Sequence, residues 1–240
     1  MAVAATNRVV NFTATGATSF STASWTPPSN ELILACFYSR TGITADPNVP
    51  TCSGNGLTWV QVATIVFDTT SSSRRRLTIF RAMGSSPSNG ATTFDCGGQT
   101  QTGAIWNIDS FSGIDTGGTN GSAAVVQSAT NKDETLSATT LTVTLAAFGS
   151  SSNATYGYIA ATTGGNSFTV GSGFSSVSTS GTNAVEVACD TVTEFRNDND
   201  TSVDATISAS GGQLGGIAVE IKSSGGAVAS VKQLAALGVG

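Results

Sequence analysis

Strict alternation of apolar and polar side chains recurs along this chain and constrains its fold more than any other feature. In "LTVTLAAF" the residues Leu141, Val143, Leu145 and Ala147 share one face, and Thr142 and Thr144 take the other. That is the signature of a half-buried strand, because successive side chains of extended backbone point to opposite sides. In "AVEVACDTVTEF", Val185, Val187, Cys189 and Phe195 fall on one side and Glu186, Asp190 and Glu194 on the other. "GIAVEIK" sends Ile217, Val219 and Ile221 inward and leaves Ala218, Glu220 and Lys222 outside. The stretches "RVVNFTAT", "ELILACFYSR", "GLTWVQVATIVF", "RRLTIFRAM", "ATTFDC", "GAIWNIDSF", "AAVVQSA", "NATYGYIAAT" and "VDATISAS" read as further strands. Turn signals such as Pro27-Pro28, Asn55-Gly56, Asn89-Gly90, Asn120-Gly121 and Gly164-Gly165 stand between them. About a dozen short strands punctuated in this way predict an all-β protein, a two-sheet antiparallel sandwich that is jelly-roll-like.

Composition supports sheets over helices. Ser and Thr make up roughly a quarter of the chain, only 10% of residues are charged, and 39% are hydrophobic. Such a chain has ample apolar material for a core and lacks the high charge of disordered segments. The expected organisation is a single β-sandwich domain over residues 1–224 and a glycine-linked C-terminal arm over 225–240. In that arm Val228, Val231 and Leu234 recur at helical spacing and Leu237 follows, so a short apolar helix or arm is predicted. It either packs back on its own domain or forms an exposed terminus that meets a partner. No segment approaches the length of a membrane-spanning helix, and the N-terminus shows neither a basic nor an apolar signal region.

The function classes narrow by residue type. The chain has no histidine, which removes Ser-His-Asp and Cys-His catalysis and every histidine-containing metal site. Glu186, Asp190 and Glu194 lie four residues apart on one predicted strand, roughly 13 Å between neighbours, whereas paired glycosidase carboxylates sit about 5–9.5 Å apart. Asp198, Asp200 and Asp204 offer oxygen ligands of the kind calcium prefers, but their loop lacks the glycine and distal glutamate of a helix-loop-helix calcium site, so a solvated acidic turn is the favoured reading. No cofactor is assigned. Cys36, Cys52, Cys96 and Cys189 form no C-x-x-C pair and are expected as free thiols, with a Cys52–Cys96 bridge as the alternative. Trp25, Trp59 and Trp106 lie in or beside apolar strand patterns and are expected in the core.

Arg74, Arg75 and Arg76 stand together at the start of the return strand of a predicted hairpin. Net charge is −5, and three adjacent arginines cannot neutralise the roughly six to ten phosphates that nucleic-acid binding engages. They are expected to form a solvated strand end that discourages strand addition, or to meet an acidic protein surface. Their replacement by serine is expected to leave the fold intact.

The ordered blocks "GNGLTWVQVATIVFDTT", "RRLTIFRAMGSSPSNGATTFDC", "WNIDSFSGIDTGGTNGSAAVVQSAT", "LTVTLAAFGSSSNATYGYIAAT" and "GGIAVEIK" resemble a module of structural proteins from tailed bacteriophages and related environmental sequences. The resemblance runs to about Ser224. It implies a non-enzymatic virion protein, foremost a capsid decoration (cement) protein that binds the major capsid protein on the outer head surface as a homo-oligomer, a trimer or a dimer. The alternative is a receptor- or carbohydrate-binding module of a tail or head fibre. Assembly in the reducing bacterial cytoplasm would agree with free thiols. The arginine-bearing hairpin end and the apolar tail at Val228, Val231, Leu234 and Leu237 are the expected partner contacts.

Overall fold

A computed structural model describes residues 2–69, 72–182, 187–208 and 212–225. Among them there is no helix, and the extended segments form sixteen strands. The first eight are β1 (Ala4–Thr13), β2 (Ser19–Ser21), β3 (Leu32–Arg40), β4 (Thr51–Gly54), β5 (Val60–Phe67), β6 (Arg75–Ala82), β7 (Thr92–Asp95) and β8 (Gly103–Ser112). The second eight are β9 (Val125–Ala138), β10 (Thr140–Thr144), β11 (Ala154–Ala161), β12 (Phe168–Val170), β13 (Ser175–Thr182), β14 (Cys189–Arg196), β15 (Ser202–Ile207) and β16 (Gly212–Ile221).

The two sets are wound identically. The first makes a five-stranded sheet ordered β1-β8-β3-β6-β5 and a three-stranded sheet ordered β2-β7-β4. Adding eight to each label yields β9-β16-β11-β14-β13 and β10-β15-β12, the other two sheets. Eight strands wound as two Greek keys place 1-8-3-6 in one sheet and 2-7-4-5 in the other. In each half the fifth strand has instead crossed over to pair with the sixth. The expected two-sheet, jelly-roll-like sandwich therefore occurs twice within the unit.

The halves stack through their five-stranded sheets, making four layers. The central core joins Leu34, Tyr38, Leu77 and Ile105 of the first half to Tyr156, Tyr158, Ile217 and Val219 of the second. Outer cores lie under the three-stranded sheets, one around Phe37, Phe94 and Trp106 and the other around Ile159, Val192 and Val203. Both faces of β3, β8, β11 and β16 are consequently covered. Asp190, Glu194 and Glu220, assigned from alternation to an outer face, do leave the central core but are buried beneath the second three-stranded sheet or its loops. The alternation marks the faces correctly; the extra layer removes the solvent.

At the seams β1 lies against β13, and β9 lies against β5. Since β9 is the counterpart of β1 and β13 that of β5, the two seams exchange under a pseudo-two-fold axis. The strand registers agree residue by residue. Leu34 pairs with Asp109 and Arg81, and Tyr156 pairs with Val219 and Phe195, so these triplets occupy equivalent places. Asn11 and Asn131, equivalent by the same register, each accept the next residue's N–H on Oδ1, at 2.8 and 2.9 Å.

The Asn-Gly signals are turns for a backbone reason. Asn55 and Gly56 adopt φ of 58° and 65°, the left-handed region that asparagine tolerates and glycine favours. Four segments escaped the alternation: β2, β4, β12 and β13. The first three have only three or four residues, and "SSVSTSGT" of β13 is almost wholly hydroxylated and small.

Candidate functional site

The arginine cluster is built into the fold. Arg75 is buried and forms an ion pair with buried Asp68. Its Nε donates to Tyr38 Oη at 3.0 Å, Nη1 to Ser73 O at 3.2 Å, and Nη2 to Thr162 O at 3.4 Å. Tyr38 Oη in turn donates to Val187 O at 2.9 Å, so this guanidinium ties β6 of one half to backbone of the other. Arg76 is half-buried, with Nε on Pro47 O at 2.6 Å and Nη1 on Thr64 Oγ1 at 3.0 Å. Arg74 is partly exposed and pairs with Asp46 at 2.5 Å. The expectation of a uniformly solvated, partner-facing triplet does not hold for Arg75: strand alternation turns it inward, where Asp68 compensates its charge. Val228, Val231, Leu234 and Leu237, the other expected contacts, lie outside the described residues.

A second polar system crosses the central core. Asn107 donates to Ser178 Oγ at 2.8 Å and accepts from Thr191 Oγ1 at 3.0 Å, while the Ser178 and Thr193 hydroxyls lie 2.8 Å apart. Asp109 accepts from Asn7 Nδ2 at 2.9 Å and from Tyr156 Oη at 2.7 Å, and Tyr156 Oη lies 3.2 Å from Cys36 Sγ. Burial raises the Asp109 carboxyl above its ordinary range, against the lowering effect of these hydrogen bonds. At the places equivalent to Asn107 and Asp109 the second half carries Ile217 and Val219; at those equivalent to Thr191 and Thr193 the first carries Leu77 and Ile79. Polar β8 thus meets polar β14, and apolar β6 meets apolar β16.

The remaining acids serve structural roles. Asp198 and Asp200 both hold Arg196, at 2.8 and 2.6 Å, so a guanidinium sits where a cation was considered. Among the described residues no group of three acidic or sulfur ligands has metal-binding spacing. Glu194 is fully buried beneath β15, where burial pushes its carboxyl up to about 8; the N–H of Gly171 at 3.3 Å works against that shift and Asp204 adds to it. All four cysteines are free thiols, and burial raises Cys96 and Cys189 to about 12. Trp106 is buried, and Trp25 and Trp59 pack on the same outer core with their Nε1 donating to Thr92 Oγ1 and Gly54 O.

An open groove of about 620 Å³ runs along the β1/β13 seam, between Val10, Asn11 and Phe12 on one wall and Asn166, Phe168, Gly181 and Asp190 on the other. Asp190 Oδ2 accepts from Asn166 N at 2.6 Å. Gly181 is required beside it, because a Cβ there would collide with the Asp190 side chain. Sequence inspection missed this site because its walls come from strands far apart in the chain and its β13 wall carries no apolar pattern. No known protein family matches the chain, and no curated protein or solved structure does.

Proposed function

We propose that this protein is a non-enzymatic structural component of a tailed-bacteriophage particle, foremost a decoration protein that binds the major capsid protein on the outer head surface as a trimer or dimer. The observation that carries this reading is the pairing of two like-wound sandwiches into one four-layered body, locked across its centre by the hydrogen bonds of Asn107 and Asp109. A rigid body loses little conformational freedom on joining a lattice, so modest contacts repeated at symmetry-related sites suffice for retention. Many of its charged side chains are also paired with one another, Arg75 with Asp68 in the interior, and Arg196 with Asp198 and Asp200 and Lys222 with Asp115 at the surface. The exterior therefore carries few unpaired charges and is rich in hydroxyls, suited to contact by shape. The block-by-block resemblance to phage structural modules points the same way.

Copy number tests it. Quantitative mass spectrometry of purified particles is expected to find on the order of hundreds of copies, as a symmetric head lattice requires. A few copies, or none, would remove the decoration reading. The β1/β13 groove favours the second reading, a receptor- or carbohydrate-binding fibre module, for which the copy number would be small.

A further inference from the structure

The two seams, equivalent by pseudo-symmetry, have diverged. At the β9/β5 seam Glu134 accepts from Thr69 Oγ1 at 2.6 Å and from Lys132 Nζ at 2.7 Å, and beside it Arg76 of β6 donates to Thr64 on the neighbouring strand β5. At the β1/β13 seam Thr179 keeps the place of Thr64, but the places of the cationic side chains hold something different. Phe12 stands where the other seam has Lys132, and Val10 where it has Thr130. Asp190 replaces Arg76, and Gly181 replaces Val66. The long, cationic side chains are gone, a groove is left, and Phe12 remains 38% exposed in it.

We infer that this groove is a binding site for a neutral carbohydrate. Its chemistry excludes the main alternatives. The described lining contains no cation and one carboxylate, so an anionic ligand such as a phosphate or an acidic sugar would be repelled. An aliphatic lipid would leave the amides and hydroxyls of the walls unpaired, at a desolvation penalty. A sugar ring has an apolar C–H face and a hydroxyl rim, and the groove offers both complements: the rings of Phe12 and Phe168 for the face, and acceptors and donors for the rim. Asn166 spends its NH2 on Thr163 at 2.6 and 2.9 Å, leaving its carbonyl oxygen as acceptor. Asn11 spends its carbonyl on Phe12 N, leaving its NH2 as donor. Asp190, only 7% exposed, is anchored by the Asn166 N–H and brings its carboxyl to the groove wall beside Gly181, where it would accept from hydroxyls. The inference concerns the isolated protein and does not depend on whether it sits on a head or a fibre.

The test is binding of neutral oligosaccharides (oligomers of glucose, of galactose and of N-acetylglucosamine) to full-length protein, followed by amide chemical shifts and by calorimetry, with sialyllactose and an unrelated extended peptide as comparison ligands. At least one neutral oligomer is expected to shift amides at residues 10–12, 166–168 and 179–181. Phe12→Lys, which installs the residue of the equivalent seam at an exposed site, is expected to weaken that binding about tenfold or more, equivalent to ~1.4 kcal/mol, with an unchanged amide spectrum elsewhere. Phe12→Tyr, which keeps the ring, is expected to retain binding. The inference is overturned if no neutral oligomer binds, if binding shifts amides outside the groove, if Phe12→Lys binds as well as the parent, or if only the acidic sugar or the peptide occupies the site.

Discussion

Tyr156 Oη donates to Asp109 Oδ2 at 2.7 Å, and the two residues belong to different halves of the duplicated fold. Phe111, two residues further along β8, meets the same tyrosine edge-on with ring centroids 5.1 Å apart. Tyr156→Phe would keep this ring contact and remove the donor, leaving a buried carboxyl short of a partner. Its expected cost is about 1.5–3 kcal/mol, read as a lower midpoint in urea unfolding. Asp109→Asn combined with Tyr156→Phe is expected to cost less than the sum of the single changes, because the two residues share one interaction.

The swap of polar and apolar stripes between halves makes their pairing selective. Were the first half to pair with a copy of itself, Leu77 and Ile79 would cover Asn107 and Asp109, and unpaired buried polar groups cost about 1–3 kcal/mol each. Cutting the chain in the exposed loop at Gly117-Gly118 and co-expressing the pieces is therefore expected to reconstitute one complex containing both. Size-exclusion chromatography with mass spectrometry checks this; stable homodimers of either piece would refute it.

The three arginines are expected to respond very differently to replacement. Arg75→Ser strands Asp68 in the interior and is expected to cost about 3–5 kcal/mol. Arg74→Ser removes a partly exposed pair, with side chains 30% and 49% accessible, and is expected to cost about 0–1 kcal/mol. Arg76→Ser should fall between them. Thermal unfolding of the three single variants orders them directly, and equal effects would be inconsistent with this placement.

Glu194 makes stability depend on pH in the direction opposite to a salt-bridged acid. Burial pushes its carboxyl up to about 8, so the folded protein keeps a proton that the unfolded chain releases near the ordinary glutamate value. The contribution is complete below that ordinary value and is lost as pH rises toward 8, with a slope of at most about 1.4 kcal/mol per pH unit. Asp204 faces this group and adds to the effect, while Arg196 is turned away to Asp198 and Asp200. Glu194→Gln should flatten the slope of unfolding free energy over this window.

Thiol chemistry reports on the cores. Cys36 and Cys189 lie in the central core and Cys96 in an outer one, and burial raises all three thiols. In native protein at mildly alkaline pH these three are expected to resist an aromatic disulfide reagent, and denatured, unreduced protein should release four thiols. Two or fewer would reveal a bridge.

Much of the fold was legible in the sequence because strand alternation is local. "LTVTLAAF" and "GIAVEIK" name their own buried faces, the Asn-Gly pairs mark their own turns, and the apolar run "LILACFY" has few polar positions to turn toward water, as a strand covered on both faces requires. Long-range register is a different kind of information. That Leu34 and Tyr156 are equivalent, that Arg75 finds Asp68, and that Asp109 lies beneath Tyr156 depend on which sheets stack, and no window of neighbouring residues contains that choice. The carboxylates of Asp190, Glu194 and Glu220 read as solvated because alternation tells one face of a strand from the other but cannot say whether another layer covers the second face. The groove at Phe12 and Asp190 is more distant still from sequence pattern, since two edge strands far apart in the chain form it only after both halves have folded and met.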